Sequence, residues 1–99
     1  MKINFEDVFV IKTGYGEEVI AKIANEDEEY YSLVKPQVVV ASPQGIQMIP
    51  GMFTADPDSE VIMKKAYCAM ISLARREVAD GYLEAVTGIR PVSSKILMG

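Results

Sequence analysis

The sequence predicts a small, mainly β domain ending in a helix, and three patterns predict it. Residues 8–49 carry short runs rich in β-branched residues, separated by turns rich in Gly, Pro and acids. A proline stands inside the longest run, which bends a sheet instead of extending it flat. Residues 75–87 instead repeat apolar side chains at helical spacing, and Gly88 and Pro91 follow as helix-stopping residues.

Val8 to Thr13 (VFVIKT) reads as the first strand. Gly14-Tyr15-Gly16 follows, and a three-residue connection containing glycine suits a tight hairpin. The same Gly-x-Gly resembles a fragment of a dinucleotide loop, but no third glycine and no helix follow, so the turn reading stands. Glu18 to Ala24 alternates Val19, Ala21 and Ile23 against Glu18 and Lys22, predicting a hairpin with one wet face. Asn25 to Glu29 is a solvated acidic turn, and Tyr30 to Ala41 (YYSLVKPQVVVA) returns as a long strand. Pro36 cannot donate to a ladder, so it marks a bulge, a bend or an edge within that strand. Ser42-Pro43-Gln44-Gly45 is a second turn, Ile46 to Ile49 a short strand, Pro50-Gly51 a break and Thr54 to Ser59 a polar loop.

Residues 60–73 fit two patterns. Ile62, Ala66, Ala69, Met70 and Leu73 lie on one helical stripe, in good helix-forming company. Val61, Met63, Lys65, Tyr67, Ala69 and Ile71 alternate as a strand would. Of the two, the residues alone favour the helix for this segment. Beyond it, Val78, Tyr82, Ala85 and Val86 share one helical face, Gly81 costs that helix up to about 1 kcal/mol against Ala, and residues 89–99 form a tail whose Ile96, Leu97 and Met98 are able to dock.

Composition narrows the function. The chain has 99 residues, 49% of them hydrophobic, and a mean hydropathy of +0.14, more apolar than a small monomer needs, which points to self-assembly. It contains no His, no Trp and one Cys. That removes Ser-His and Cys-His nucleophile pairs, the HExxH zinc site, internal disulfides and CxxC knuckles. Cys68, in the apolar AYCAMI stretch, reads as a small buried hydrophobe. No enzyme activity, no cofactor and no metal site are expected; the pairs Glu28/Glu29 and Asp56/Asp58 lack a calcium loop, a nucleophile or a metal partner around them. No run approaches the length of a membrane span, and Glu6 and Asp7 interrupt the place of a signal peptide's apolar segment, so a cytoplasmic protein with no membrane partner is expected. The net charge of −4 is uneven: residues 1–60 hold eleven acids against four lysines, and residues 61–99 hold six bases against three acids. If the chain folds so that these halves face opposite ways, each copy is a dipole, which favours head-to-tail contacts over diffuse nucleic-acid binding.

Val10-Ile11-Lys12-Thr13-Gly14-Tyr15-Gly16-Glu17-Glu18-Val19-Ile20-Ala21-Lys22-Ile23 looks like the first Sm motif, Leu33-Val34-Lys35-Pro36 like the third strand that follows it, and Ile49-Pro50-Gly51 stands where the second motif has Ile-Arg-Gly. Together with Tyr82-Leu83-Glu84-Ala85-Val86-Thr87-Gly88, this order resembles the Sm-like (LSm) proteins of tailed bacteriophages, cyanophages in particular, over roughly residues 5–88. The resemblance implies a single Sm-like domain over residues 1–99: a strongly bent five-stranded antiparallel barrel with strands over about 8–71, a helix over about 74–87 and a tail over 89–99. It therefore reads residues 60–71 as the fifth strand, against the helical stripe.

It also implies a homo-oligomeric ring of about five to seven subunits, in which the fourth strand of one copy pairs with the fifth of the next and no sticky edge is left free. Ile46, Met48, Ile49, Val61, Met63, Tyr67, Ala69 and Ile71 are the candidates for that seam, and each is equally a candidate for plain core. RNA or single-stranded nucleic acid is the partner such rings usually take, at the loops after strands two and four. Tyr30 and Tyr31 are candidate stacking residues, and Lys64 and Lys65, with Arg75 and Arg76, a candidate basic face. The usual site residues are largely missing: the first loop reads Asn25-Glu26-Asp27-Glu28-Glu29, Pro50 replaces the arginine, and Asp56, Asp58 and Glu60 lie beyond it, where they would repel phosphate. The alternative is a homo-oligomeric scaffold that recruits a phage or host protein, in the host cytoplasm if the chain is phage-encoded, and binds no nucleic acid.

Overall fold

A computed structural model describes residue 4 and residues 6–87. The chain forms β1 (Val8–Thr13), β2 (Glu18–Glu26), β3 (Tyr30–Ser42), β4 (Gly45–Pro50), β5 (Val61–Lys64), a one-turn 3-10 helix (Lys65–Tyr67), β6 (Cys68–Leu73) and α1 (Arg76–Thr87). The expected mainly β architecture with a C-terminal helix is what forms. All strand pairs are antiparallel, in the order β4-β3-β2-β1-β6, and β5 returns to pair with β3. Because β5 and β6 are separated only by the 3-10 turn, that return closes the sheet on itself as a small bent barrel.

Two irregularities at the middle of β3 produce the bend. Between the pairs Ile20↔Gln37 and Lys22↔Val34, β3 carries one residue more than β2, so Lys35-Pro36 forms a bulge. Lys35 there adopts φ 44°, the left-handed region that L-residues seldom occupy. Pro36 is thus a bulge and a bend inside a paired strand, and its missing N–H costs the ladder nothing there. A second shift between Ile23 and Asn25 places an extra residue in β2.

The bend divides β3 between two partners. Its C-terminal half, Gln37 to Ser42, pairs with β4, and its N-terminal end, Tyr30 to Leu33, pairs with β5. β4 and β5 therefore run in line along the same neighbour, and residues 51–60 are an excursion from one interrupted strand. The Gly51 N–H donates to the Pro36 carbonyl at 2.9 Å and pins the start of the excursion to the bend. A Cβ at Gly51 would stand 3.2 Å from that carbonyl oxygen, a tight contact that glycine avoids.

This corrects the five-strand expectation in detail: residues 61–64 belong with the fourth strand, and only 68–73 form the fifth, beside β1. The simple alternation over 61–71 fails for the same reason. The β1–β6 register skips Ala69 between Thr13↔Cys68 and Lys12↔Met70, so Cys68 and Ile71 face the core and Ala69 is exposed.

Two apolar clusters hold the domain. Inside the barrel, Phe9, Ile11, Val19, Ala21, Ile23, Tyr31 and Leu33 are buried, with Val61, Met63, Cys68 and Ile71 packed against them. Outside it, α1 covers Val8 and Ile20 with the buried Tyr82. The β1–β2 hairpin consequently has no fully wet face: Ile20, on the side expected to meet water, is wholly buried under the helix. The Tyr82 hydroxyl donates to the Val34 carbonyl at 2.5 Å and accepts from the Lys22 N–H at 3.4 Å, bridging two residues that face each other beside the bulge. The expected helix stop at Gly88 and Pro91, the tail residues Ile96 to Met98, and the charges of Arg90 and Lys95 lie outside the described residues.

Candidate nucleic-acid interface

The turn between β2 and β3 is built by Asp27. Its Oδ1 accepts from the N–H groups of Glu29 and Tyr30, both at 2.8 Å, and its own N–H donates to the Tyr30 carbonyl at 3.0 Å. Antiparallel pairing then sets Tyr30 opposite Lys64 and Tyr31 opposite Met63. The Lys65 N–H donates to the Glu29 carbonyl at 2.8 Å and ties the 3-10 turn to the acidic turn. All four candidate nucleic-acid residues, Tyr30, Tyr31, Lys64 and Lys65, thus meet at one end of the barrel.

Their surroundings give them different capacities. Tyr31 is buried in the core, with the Lys65 ammonium 4.8 Å from its ring centroid, so it presents no free face for stacking. Burial is the main reason its phenol is pushed above the ordinary value, helped by nearby Cys68 and opposed by Lys65. Lys65 is committed: its Nζ is 2.6 Å from Glu26 Oε1, and that hydrogen bond is the main reason its ammonium is held above the ordinary lysine value. Tyr30 is half-buried, and it lines two shallow grooves, one with Glu28, Glu29, Lys64, Lys65 and Ala66, the other with Asn25, Glu26, Asp27, Ser32 and Ile62. Lys64 is exposed and makes no ion pair among the described residues. This end therefore holds Glu26, Asp27, Glu28 and Glu29 against two lysines, one of them already paired.

The second expected loop lies elsewhere. Pro50 pairs with Gln37 in β4, and the turn that leads into β6 is Lys65–Tyr67. Asp56 and Asp58 belong to the excursion, where Asp56 Oδ1 accepts from the Asp58 N–H at 2.9 Å. Asp56 lines a cleft with Lys35, Pro36, Phe53, Ala85 and Val86, beside the end of α1. Ile49-Pro50-Gly51, with Asp56, Asp58 and Glu60 beyond it, therefore precedes β5 and is not part of the turn that leads into β6. Arg75 and Arg76 do not join Lys64 and Lys65 either, because β6 separates the two pairs by about 20 Å of strand.

The seam candidates divide by exposure. Ile46, Ile49, Tyr67 and Ala69 are exposed; Val61, Met63 and Ile71 pack against the barrel core, and Met48 against the α1 cluster. Sequence reasoning missed Met70 and Leu73, at 63% and 55% exposure on β6, and Ile62, at 58%, on β5. It also missed a pairing of Tyr15 with Tyr67, whose rings lie 6.4 Å apart at 25°. The aromatic between two turn glycines was the available signal for it. Cys68 is half-buried, and burial raises its thiol pKa.

Among the described residues no group of three or more His, Cys, Asp or Glu side chains is placed to hold a metal ion, and no helix is long and apolar enough to cross a membrane. No protein-family model matches the chain, and no curated protein matches it significantly.

Proposed function

We propose that the chain is a non-enzymatic, Sm-like ring protein of bacteriophage type, acting in the cytoplasm, whose copies assemble edge to edge and bind single-stranded nucleic acid weakly at the Tyr30–Lys64–Lys65 end. The observation that carries the reading is the pair of sheet edges. Among the described residues, β4 and β6, six residues each, end the sheet path with no partner on their outer sides, and both display exposed apolar side chains: Ile46 and Ile49 on one, Met70 and Leu73 on the other. Unpaired edges of equal length and opposite position suit a heterologous contact that repeats until the ring closes. Ile46, Ile49 and Ala69 would lie in that seam, with Met48, Val61, Met63 and Ile71 supporting it from the core.

For nucleic acid, the support is that Lys64 is exposed and makes no ion pair among the described residues, and that Asp56 lines a different cleft from it. Light scattering across a size-exclusion peak tests assembly: a mass several times 10.9 kDa is expected, and a monomer at micromolar concentration overturns the ring. Titration of U-rich and A-rich RNA at low salt tests binding, and Lys64→Ala is expected to weaken it.

One feature favours the scaffold reading instead. Phe53 and Met52 are 77% and 55% exposed in the excursion, next to Asp56 and Asp58, which suits a protein partner with an apolar and basic face. Wild-type protein that assembles but binds neither RNA would favour it.

A further inference from the structure

The β1–β2 turn, the 3-10 turn and the start of the excursion enclose an open cleft that reaches down to the barrel core and meets the Tyr30 groove at Lys64. Thr13, Val19, Leu33, Val38, Met52 and Met63 line its floor and walls, Tyr15 and Tyr67 form one side, and Glu17 and Lys64 contribute charge. Tyr15 is 85% exposed, the most exposed large apolar side chain described, yet it is not loosely placed. Its turn is fixed by the Gly14 N–H donating to the Tyr67 carbonyl at 2.8 Å and by the Gly16 N–H donating to the Thr13 carbonyl at 3.0 Å. Tyr67 flanks Tyr15, the ring centroids 6.4 Å apart at 25°, and at 85% exposure the Tyr15 ring stays open to solvent.

We propose that this cleft is a nucleobase pocket, in which a base of a bound single strand stacks on the Tyr15–Tyr67 pair while Lys64 receives the adjoining phosphate. The inference rests on nucleic acid being the ligand at the Lys64–Lys65 turn, and it adds where a second nucleotide goes. Lys64 lines both this cleft and the Tyr30 groove, so one cation sits at the junction of two base-sized recesses. An aromatic pair on a pinned turn supplies a stacking surface at little ordering cost, and stacking on such platforms tolerates any base. Charge selects the occupant: an apolar peptide has no use for the uncommitted Lys64 ammonium, whereas a nucleotide offers a planar ring and an anion together. Glu17 on the rim accepts hydrogen bonds, favouring bases with exocyclic amino groups over uracil.

The chain contains no tryptophan, so Tyr15→Trp places a single indole in the cleft. Wild type, Tyr15→Ala and Tyr15→Trp are titrated with short A-rich and U-rich RNA at low salt, following anisotropy of the labelled RNA, indole emission and oligomer mass. Tyr15→Ala is expected to weaken binding roughly ten-fold with the mass unchanged, and Tyr15→Trp to bind as well as wild type with its emission quenched, more strongly by A-rich RNA. If wild type binds and Tyr15→Ala binds equally, or if the indole emission of Tyr15→Trp does not respond, the pocket is overturned while the Lys64 site stands. If Tyr15→Ala lowers the mass in step with binding, the cleft is a contact between copies and the pocket is again overturned. If wild type binds no RNA, the nucleic-acid reading itself fails, and the pocket with it.

Discussion

Tyr82 shows how one side chain decides whether the helix stays on the barrel. Its ring fills the outer cluster, and its hydroxyl serves the Val34 carbonyl and the Lys22 N–H beside the β3 bulge. Tyr82→Phe keeps the ring and removes the bridge, leaving backbone groups short of a partner. A loss of about 1–3 kcal/mol is expected, read as a lower urea midpoint. The same residue gives stability a pH dependence. Burial raises the phenol above its ordinary value of 10.0, and the Lys22 N–H opposes this more weakly. The unfolded chain therefore gives up its proton first as pH rises. The contribution is complete below about pH 10 and is lost as the pH climbs from there through the folded value. Tm should fall as the pH rises above about 10, and it should fall less steeply in Tyr82→Phe, although Tyr31, raised in the same direction, keeps some of the slope. Equal slopes in the two proteins would remove Tyr82 as the cause.

At the scale of elements, the proposed assembly would rest on the edge strands β4 and β6. Leu73→Lys and Ile46→Lys each place a charge on an exposed apolar position at one unpaired edge. Since neither side chain belongs to a core cluster, the subunit should remain folded by circular dichroism while its mass falls toward 10.9 kDa. An unchanged mass in both would place the contact elsewhere. These edges also mark how far the sequence was legible. Local signals placed β1 to β4 well, because glycine and proline mark turns wherever they occur and strand alternation records one neighbouring face. Residues 60–73 were hard because their partner changes midway: 61–64 follow β3, 68–73 follow β1, and the 3-10 turn and the Ala69 bulge break the alternation between them. Nothing local announces a change of partner. The dry outer face of the β1–β2 hairpin was missed for a similar reason, since Ile20 is covered by a helix far along the chain. Tyr30, Tyr31, Lys64 and Lys65 were each visible as aromatic or basic residues, but their meeting depended on the β3–β5 pairing.

For the whole molecule, the governing quantity is charge. Each chain carries −4, and a ring of about six copies would carry roughly −24, a field that opposes a polyanion at a distance. The acids at the Lys64–Lys65 end add to it, and Lys65 is already paired with Glu26. Few phosphates can therefore be neutralised per subunit. If the chain binds single strands as proposed, the affinity must come mainly from stacking, which releases no counterions. Salt then has little leverage. A ligand held by one cation per site loses affinity with a log–log slope of about −0.7, whereas contacts to several phosphates multiply that figure. Between low and physiological salt the dissociation constant should rise only a few-fold, measured by anisotropy with RNA short enough to occupy one subunit. A slope several times steeper would mean that cations beyond Lys64 engage the strand, with Arg75 and Arg76 the exposed candidates at the far end of β6. Double substitution of those arginines should leave the shallow slope unchanged, and a return from a steep slope to a shallow one on that substitution would relocate the binding face to the start of α1.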